Sequence, residues 1–83
     1  MTHKVWFITG TSKGFGKVWA EAALKRGDKV VATARNVKSL IDLQEKYGEN
    51  VLPLQLNVDN RNESLNAVKK AHDHFGRIDV LVN

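Results

Sequence analysis

Eighty-three residues with 42% hydrophobic and 27% charged side chains and no cysteine describe one small globular domain without a disulfide framework. The N-terminal apolar run is too short for a signal peptide or a membrane span, so a cytoplasmic protein is expected, with no membrane partner. The net charge of +4 comes from scattered cations, several of them late in predicted helices where they complement the carbonyl end of the macrodipole, so nucleic-acid binding is not expected either.

The chain opens on "VWFIT" (5–9), an apolar run that reads as a buried strand. It leads into "GTSKGFG" (10–16), with glycines at Gly10, Gly14 and Gly16. A helix is predicted over 14–26, with Phe15, Val18, Trp19, Ala22 and Ala23 on one face. At a strand-to-helix junction the first N–H groups of the helix point outward with the positive end of the dipole behind them, which suits a phosphate. Glycines there let the backbone turn sharply and come close to a ligand. The spacing Gly10-x-x-x-Gly14-x-Gly16 differs from the common G-x-G-x-x-G fingerprint. A P-loop is excluded, because Gly16-Lys17 is followed by Val18 and not by a hydroxyl residue. A glycine-rich turn with no ligand is the plainer alternative.

Gly27 ends the first helix, and "KVVATA" (29–34) is the second strand. A second helix is predicted over 37–47, burying Leu40, Leu43 and Tyr47, and stopping at Gly48. The third strand, "VLPLQL" (51–56), alternates, and Pro53 lacks a ladder donor, which places this strand at a sheet edge. The third helix is predicted over 61–75, with Leu65, Val68, Ala71 and Phe75 buried. Asn60 followed by Glu63 reads as a capping-box-like start. Gly76 ends that helix, and "IDVLVN" (78–83) is the fourth strand. Alternating strands and helices predict an α/β fold, a parallel sheet with right-handed crossovers. Residues 1–83 read as a single, partial domain, because the chain stops on a strand.

Taken together, "TGTSKGFG" (9–16), "LNV" (56–58) and "FGRIDVLVN" (75–83) resemble, in order, three motifs of the short-chain dehydrogenase/reductase family: its T-G-x-x-x-G-x-G loop, its L-D-V turn and its approach to N-N-A-G. The resemblance covers the whole chain. It implies a Rossmann-like three-layer sandwich, four parallel strands in the order 3-2-1-4 with three helices, incomplete relative to the full fold. It further implies that Gly10, Gly14 and Gly16 shape a pyrophosphate loop, and that Ser12 and the backbone at Phe15 contact phosphate and ribose oxygens. Asn57 stands where the family usually has an adenine-binding aspartate and keeps an acceptor oxygen. Val58 would face the adenine ring, and Asn83 would lie beside the adenosine ribose.

Sites that prefer NAD place an acid after the second strand, on the ribose 2′-OH. Residues 32–36, "ATARN", contain none, and Arg35 offers a planar fork for a 2′-phosphate, with Lys13 within reach of it. NADP is therefore the expected cofactor, with NAD second. Two solvated surface cations are the plainer reading.

The family's chemistry rests on a serine and a Y-x-x-x-K pair. The one tyrosine here, Tyr47, has Val51 four positions on, so no catalytic residue is assigned and the chain alone is expected to be inactive. His72 and His74 diverge around a helix, so no metal site is assigned. The reading is the dinucleotide-binding part of an NADP-dependent oxidoreductase, itself a homo-oligomer, acting on a small carbonyl or alcohol substrate. A non-catalytic dinucleotide-sensing module and a basic adaptor that pairs through its sheet edge are the competing classes.

Overall fold

The computed structural model describes residues 3–10, 14–57 and 59–82, and for Gly14 and Phe15 the backbone alone. Four strands, β1 (Val5–Ile8), β2 (Lys29–Ala34), β3 (Val51–Gln55) and β4 (Val80–Val82), form one parallel sheet in the order β3-β2-β1-β4. This is the expected 3-2-1-4 order. β3 is an edge strand, and Pro53 sits in it opposite Ala32, where its missing N–H does least harm to the ladder. β2 spans its predicted run, whereas the other three strands are shorter than theirs, with Thr9, Leu56 and Ile78 outside the strands.

Three helices cross the sheet: α1 (Gly14–Lys25), α2 (Ile41–Tyr47) and α3 (Arg61–Phe75). The stretch read as one second helix divides into a 3-10 turn, Val37–Leu40, and then α2. Asn36 starts that turn, its side chain accepting from the Lys38 N–H. At α3, Asn60 caps the helix by accepting from the Glu63 N–H at 3.2 Å. The other half of the expected box is replaced, because the Asn60 N–H donates to the Asn57 carbonyl at 2.9 Å. Gly76 closes α3 at φ +83°, a left-handed conformation that L side chains rarely adopt.

The sheet is covered on both faces, as right-handed crossovers require. On one face α1, α2 and the 3-10 turn before α2 bury Ile8, Val30, Ala32 and Ala34 beneath Ala20, Ala23, Leu24, Leu40 and Leu43. On the other, α3 covers Phe7 and Val31 with Ala67 and Ala71. Tyr47 packs against the first cluster, and its phenol oxygen is buried with no hydrogen-bond partner among the described residues.

Two expected stripes are corrected. Val18 and Trp19 of α1 are 61% and 46% exposed, and the buried positions are Ala20, Ala23 and Leu24. The cause is Gly16: a Cβ there would lie 2.6 Å from the Gly10 carbonyl oxygen, so the first turn of α1 rests on the end of β1 through this residue. Positions four, seven and eight residues further on continue that line along a helix. In α3, Leu65 and Val68 are 61% and 39% exposed, whereas Ala67 and Ala71 are buried and Phe75 is half-buried. The small side chains let the helix approach the sheet closely, and the larger apolar ones flank the contact.

At the amino end of the sheet two carboxylates hold the entry of β1. Asp28 accepts from the Lys4 N–H at 3.2 Å, the Trp6 indole at 2.9 Å and the Arg26 guanidinium at 3.1 Å. Asp79 accepts from the Val5 N–H at 2.8 Å and from Arg77 at 2.9 Å.

Candidate functional site

The opposite, carboxyl ends of the strands carry those predicted site residues that the structure describes. Gly10 stands two residues after β1 and turns at φ +63°, so a side chain here would strain the backbone although the space around it is open. Gly14 and Phe15 form the first turn of α1. Gly16 closes the loop onto Gly10 through the 2.6 Å approach described above. The glycines therefore divide the work: Gly10 turns the chain, and Gly16 admits backbone where no Cβ would fit. α1 carries no acidic residue in its first turn, so no carboxylate of the helix itself neutralises the positive end of its dipole.

Hydroxyls tie the neighbouring strand ends together. The Thr9 N–H and hydroxyl both reach the Val82 carbonyl, at 2.9 and 3.3 Å, fastening the end of β1 to β4. Buried Thr33 donates to the Ile8 carbonyl at 3.0 Å. On the other side, the Leu56 N–H continues the ladder to the Ala34 carbonyl at 2.9 Å, which carries the chain to Asn57 beside the end of β2.

Asn57 uses its side-chain oxygen locally, accepting from the Asp59 N–H at 3.1 Å. An amide oxygen has two lone pairs, so one remains for a ligand. Arg35 stands one residue beyond β2 with its side chain 75% exposed. Its guanidinium meets the Asp59 carboxylate at 3.4 Å, and Asp59 is itself 80% exposed. This corner was expected to hold no acid. Asp59 supplies one from the turn between β3 and α3, and the spacing Asn57-x-Asp59-Asn60 was the signal available for it. Thr9 and Thr33 were also missed as strand ties. Ser12, Lys13, Val58 and Asn83 lie outside the described residues.

The structure thus brings Gly10, Gly14 and Gly16 together at the head of α1, and Arg35 and Asn57 together at the ends of β2 and β3. A phosphate-bearing ligand laid across the strand ends would meet N–H groups at the first and a cation and amide at the second.

A family model described as short chain dehydrogenase matches residues 4–83. Among curated proteins, the chain is 53% identical to "Oxidoreductase BOA17" of Botryotinia fuckeliana over 81 residues, covering 96% of this chain and 30% of that protein. It is 40% identical to "NADP-dependent 3-hydroxy acid dehydrogenase YdfG" of Salmonella typhi, covering 92% of this chain and 31% of that one. The chain therefore spans about a third of the length of these relatives. Among solved structures, a short-chain dehydrogenase from Streptomyces avermitilis superposes with a TM-score of 0.96 at 39% identity, covering 99% of this chain and 30% of that one. The 3-ketoacyl-(acyl-carrier-protein) reductase of Brucella melitensis, complexed with NADH, superposes at 0.87 with 31% identity, covering 94% and 32%.

Proposed function

The chain belongs to the short-chain dehydrogenase family, and from that premise we propose that it holds the adenosine and pyrophosphate portion of NADP(H) for a carbonyl reductase or alcohol dehydrogenase. The observation that carries this reading is the seat of α1. Gly16 rests against the Gly10 carbonyl, which sets the N-terminus of a 12-residue helix at the carboxyl end of β1, where the strand order reverses between β1 and β4. Gly10 and the N–H groups of Gly14 and Phe15 would hold the pyrophosphate, joined, on the family resemblance, by Ser12. Asn57 would meet the adenine, and the family resemblance adds Val58 there and Asn83 beside the ribose. The cofactor, when bound, supplies or receives the hydride.

The choice of NADP(H) over NAD(H) rests on Arg35, an exposed guanidinium directly after β2, and on the lack of an acid within residues 32–36. Lys13 adds a second cation. Similar proteins divide on this point, YdfG being named as NADP-dependent and the Brucella reductase being complexed with NADH. The chain on its own performs no turnover in this reading, because Tyr47 is packed against the core beneath α1 and α2 and has Val51 where a lysine is needed.

Fluorescence titration with NADPH and NADH, on the chain and its Arg35→Ala variant, tests the assignment. The unmutated chain is expected to bind NADPH about tenfold more tightly, and Arg35→Ala to lose most of that difference, since a charge-assisted contact at an exposed site falls at the lower end of its range. Equal affinities in the unmutated chain would rule out the NADP preference.

A further inference from the structure

The acid absent from residues 32–36 reaches the same corner from 24 positions along the chain. Asp59 is placed there by a local turn: its N–H donates to the Asn57 side chain at 3.1 Å, and the Asn60 N–H donates to the Asn57 carbonyl at 2.9 Å. Asn60 then caps α3, so the turn is held from both sides. The result is a carboxylate 3.4 Å from the Arg35 guanidinium, through one nitrogen and one oxygen. Both side chains are three-quarters exposed or more. A single long contact between two exposed groups is a weak clamp, so Arg35 stays able to exchange partners.

We infer that Asp59 is a specificity-determining residue for the dinucleotide, a carboxylate that competes with the ribose 2′-phosphate for Arg35 and narrows the preference Arg35 creates. The inference rests on the reading of the site given above. A phosphate monoester carries close to two negative charges at neutral pH. To reach Arg35 it must come within a few ångströms of Asp59 and displace it. A ribose 2′-hydroxyl is neutral, brings no such repulsion, and can donate a hydrogen bond to a carboxylate. The same residue therefore opposes one cofactor and spares the other.

The test is titration of NADPH and NADH into the full chain and its Asp59→Asn and Asp59→Ala variants, at low and at physiological ionic strength. Asp73→Asn, near the far end of α3, controls for the change in net charge. The turn uses the backbone N–H of residue 59, which both Asp59 variants keep, and circular dichroism checks their fold. Asp59→Asn is expected to tighten NADPH about two- to fivefold, the range of an exposed ion pair. NADH affinity should stay within a factor of about two, and the gain should shrink as salt screens it. On an Arg35→Ala background the gain should be smaller. A rise in NADPH affinity supports the inference even if the unmutated chain takes both cofactors equally. Unchanged or weaker NADPH binding in both Asp59 variants, with the chain still binding dinucleotide, overturns it and leaves the site standing. A chain that binds neither cofactor overturns both.

Discussion

Asp28 shows how one side chain at the edge of the core can set the acid limit of the fold. Burial raises its pKa, but the Trp6 indole, the Lys4 N–H and the Arg26 charge and hydrogen bond together hold it below the ordinary 3.8. Asp79 is lowered in the same direction, first by the Val5 N–H and then by Arg77. A depressed carboxylate stabilises the fold above its unfolded value, and that contribution is lost as the pH falls below 3.8 toward the value in the fold. Stability should therefore fall on acidification through this window, followed by circular dichroism during thermal melts. Asp28→Asn is expected to lower the melting midpoint at pH 7 by roughly 5 °C and to flatten the acid limb. An unchanged acid limb would mean that Asp28 is not the group responsible.

At the level of elements, the seat of α1 depends on one missing Cβ. Gly16→Ala places a methyl 2.6 Å from a backbone oxygen that cannot swing away as a side chain would. The helix must lift, at a cost of about 1–3 kcal/mol, and its N–H groups leave the position a phosphate needs. NADPH affinity should drop at least tenfold while far-UV circular dichroism stays close to that of the unmutated chain; normal affinity would reduce the loop to a turn. Much of this architecture is legible in the sequence, because glycine after each helical period and proline in the third strand are constraints that act locally. The rotation of α1 is not, because it is set by contact between Gly16 and Gly10 across the loop. Ala20 and Ala67 carry too little hydrophobic weight to outvote Trp19, Leu65 and Val68 in a periodicity argument, yet small size is what brings the helices onto the sheet. In the candidate site, the glycines and Arg35 could be read from their spacing and Asn57 from the resemblance of "LNV" to the family's turn, whereas Asp59 meets Arg35 only once β2 and β3 have paired.

Across the whole molecule the two faces are unequally covered, with α1 and α2 on one and α3 alone on the other. Leu81 on β4 is exposed, as are Leu65 and Val68 on α3, and the outer side of β4 pairs with no strand among the described residues. Apolar side chains next to an open parallel edge form a template for another chain. The isolated chain is expected to self-associate as its concentration rises, and the net charge of +4 opposes this weakly at physiological salt, where the Debye length is about 8 Å. Sedimentation velocity over a concentration series measures it. A monomer at every concentration would show that this edge is protected.

The carboxylates that fasten β1 and the loop that would take the cofactor stand at opposite ends of the same strand, about 13 Å apart for four extended residues. Natural variation can therefore act on the two independently. Substitutions around Asp28 and Asp79 are expected to shift tolerance of acid or heat, while those at Arg35 and Asp59 would, on the reading proposed above, retune which dinucleotide is taken, and neither set need compensate for the other. On that reading, a lineage built on this fold could change its cofactor without renegotiating its durability.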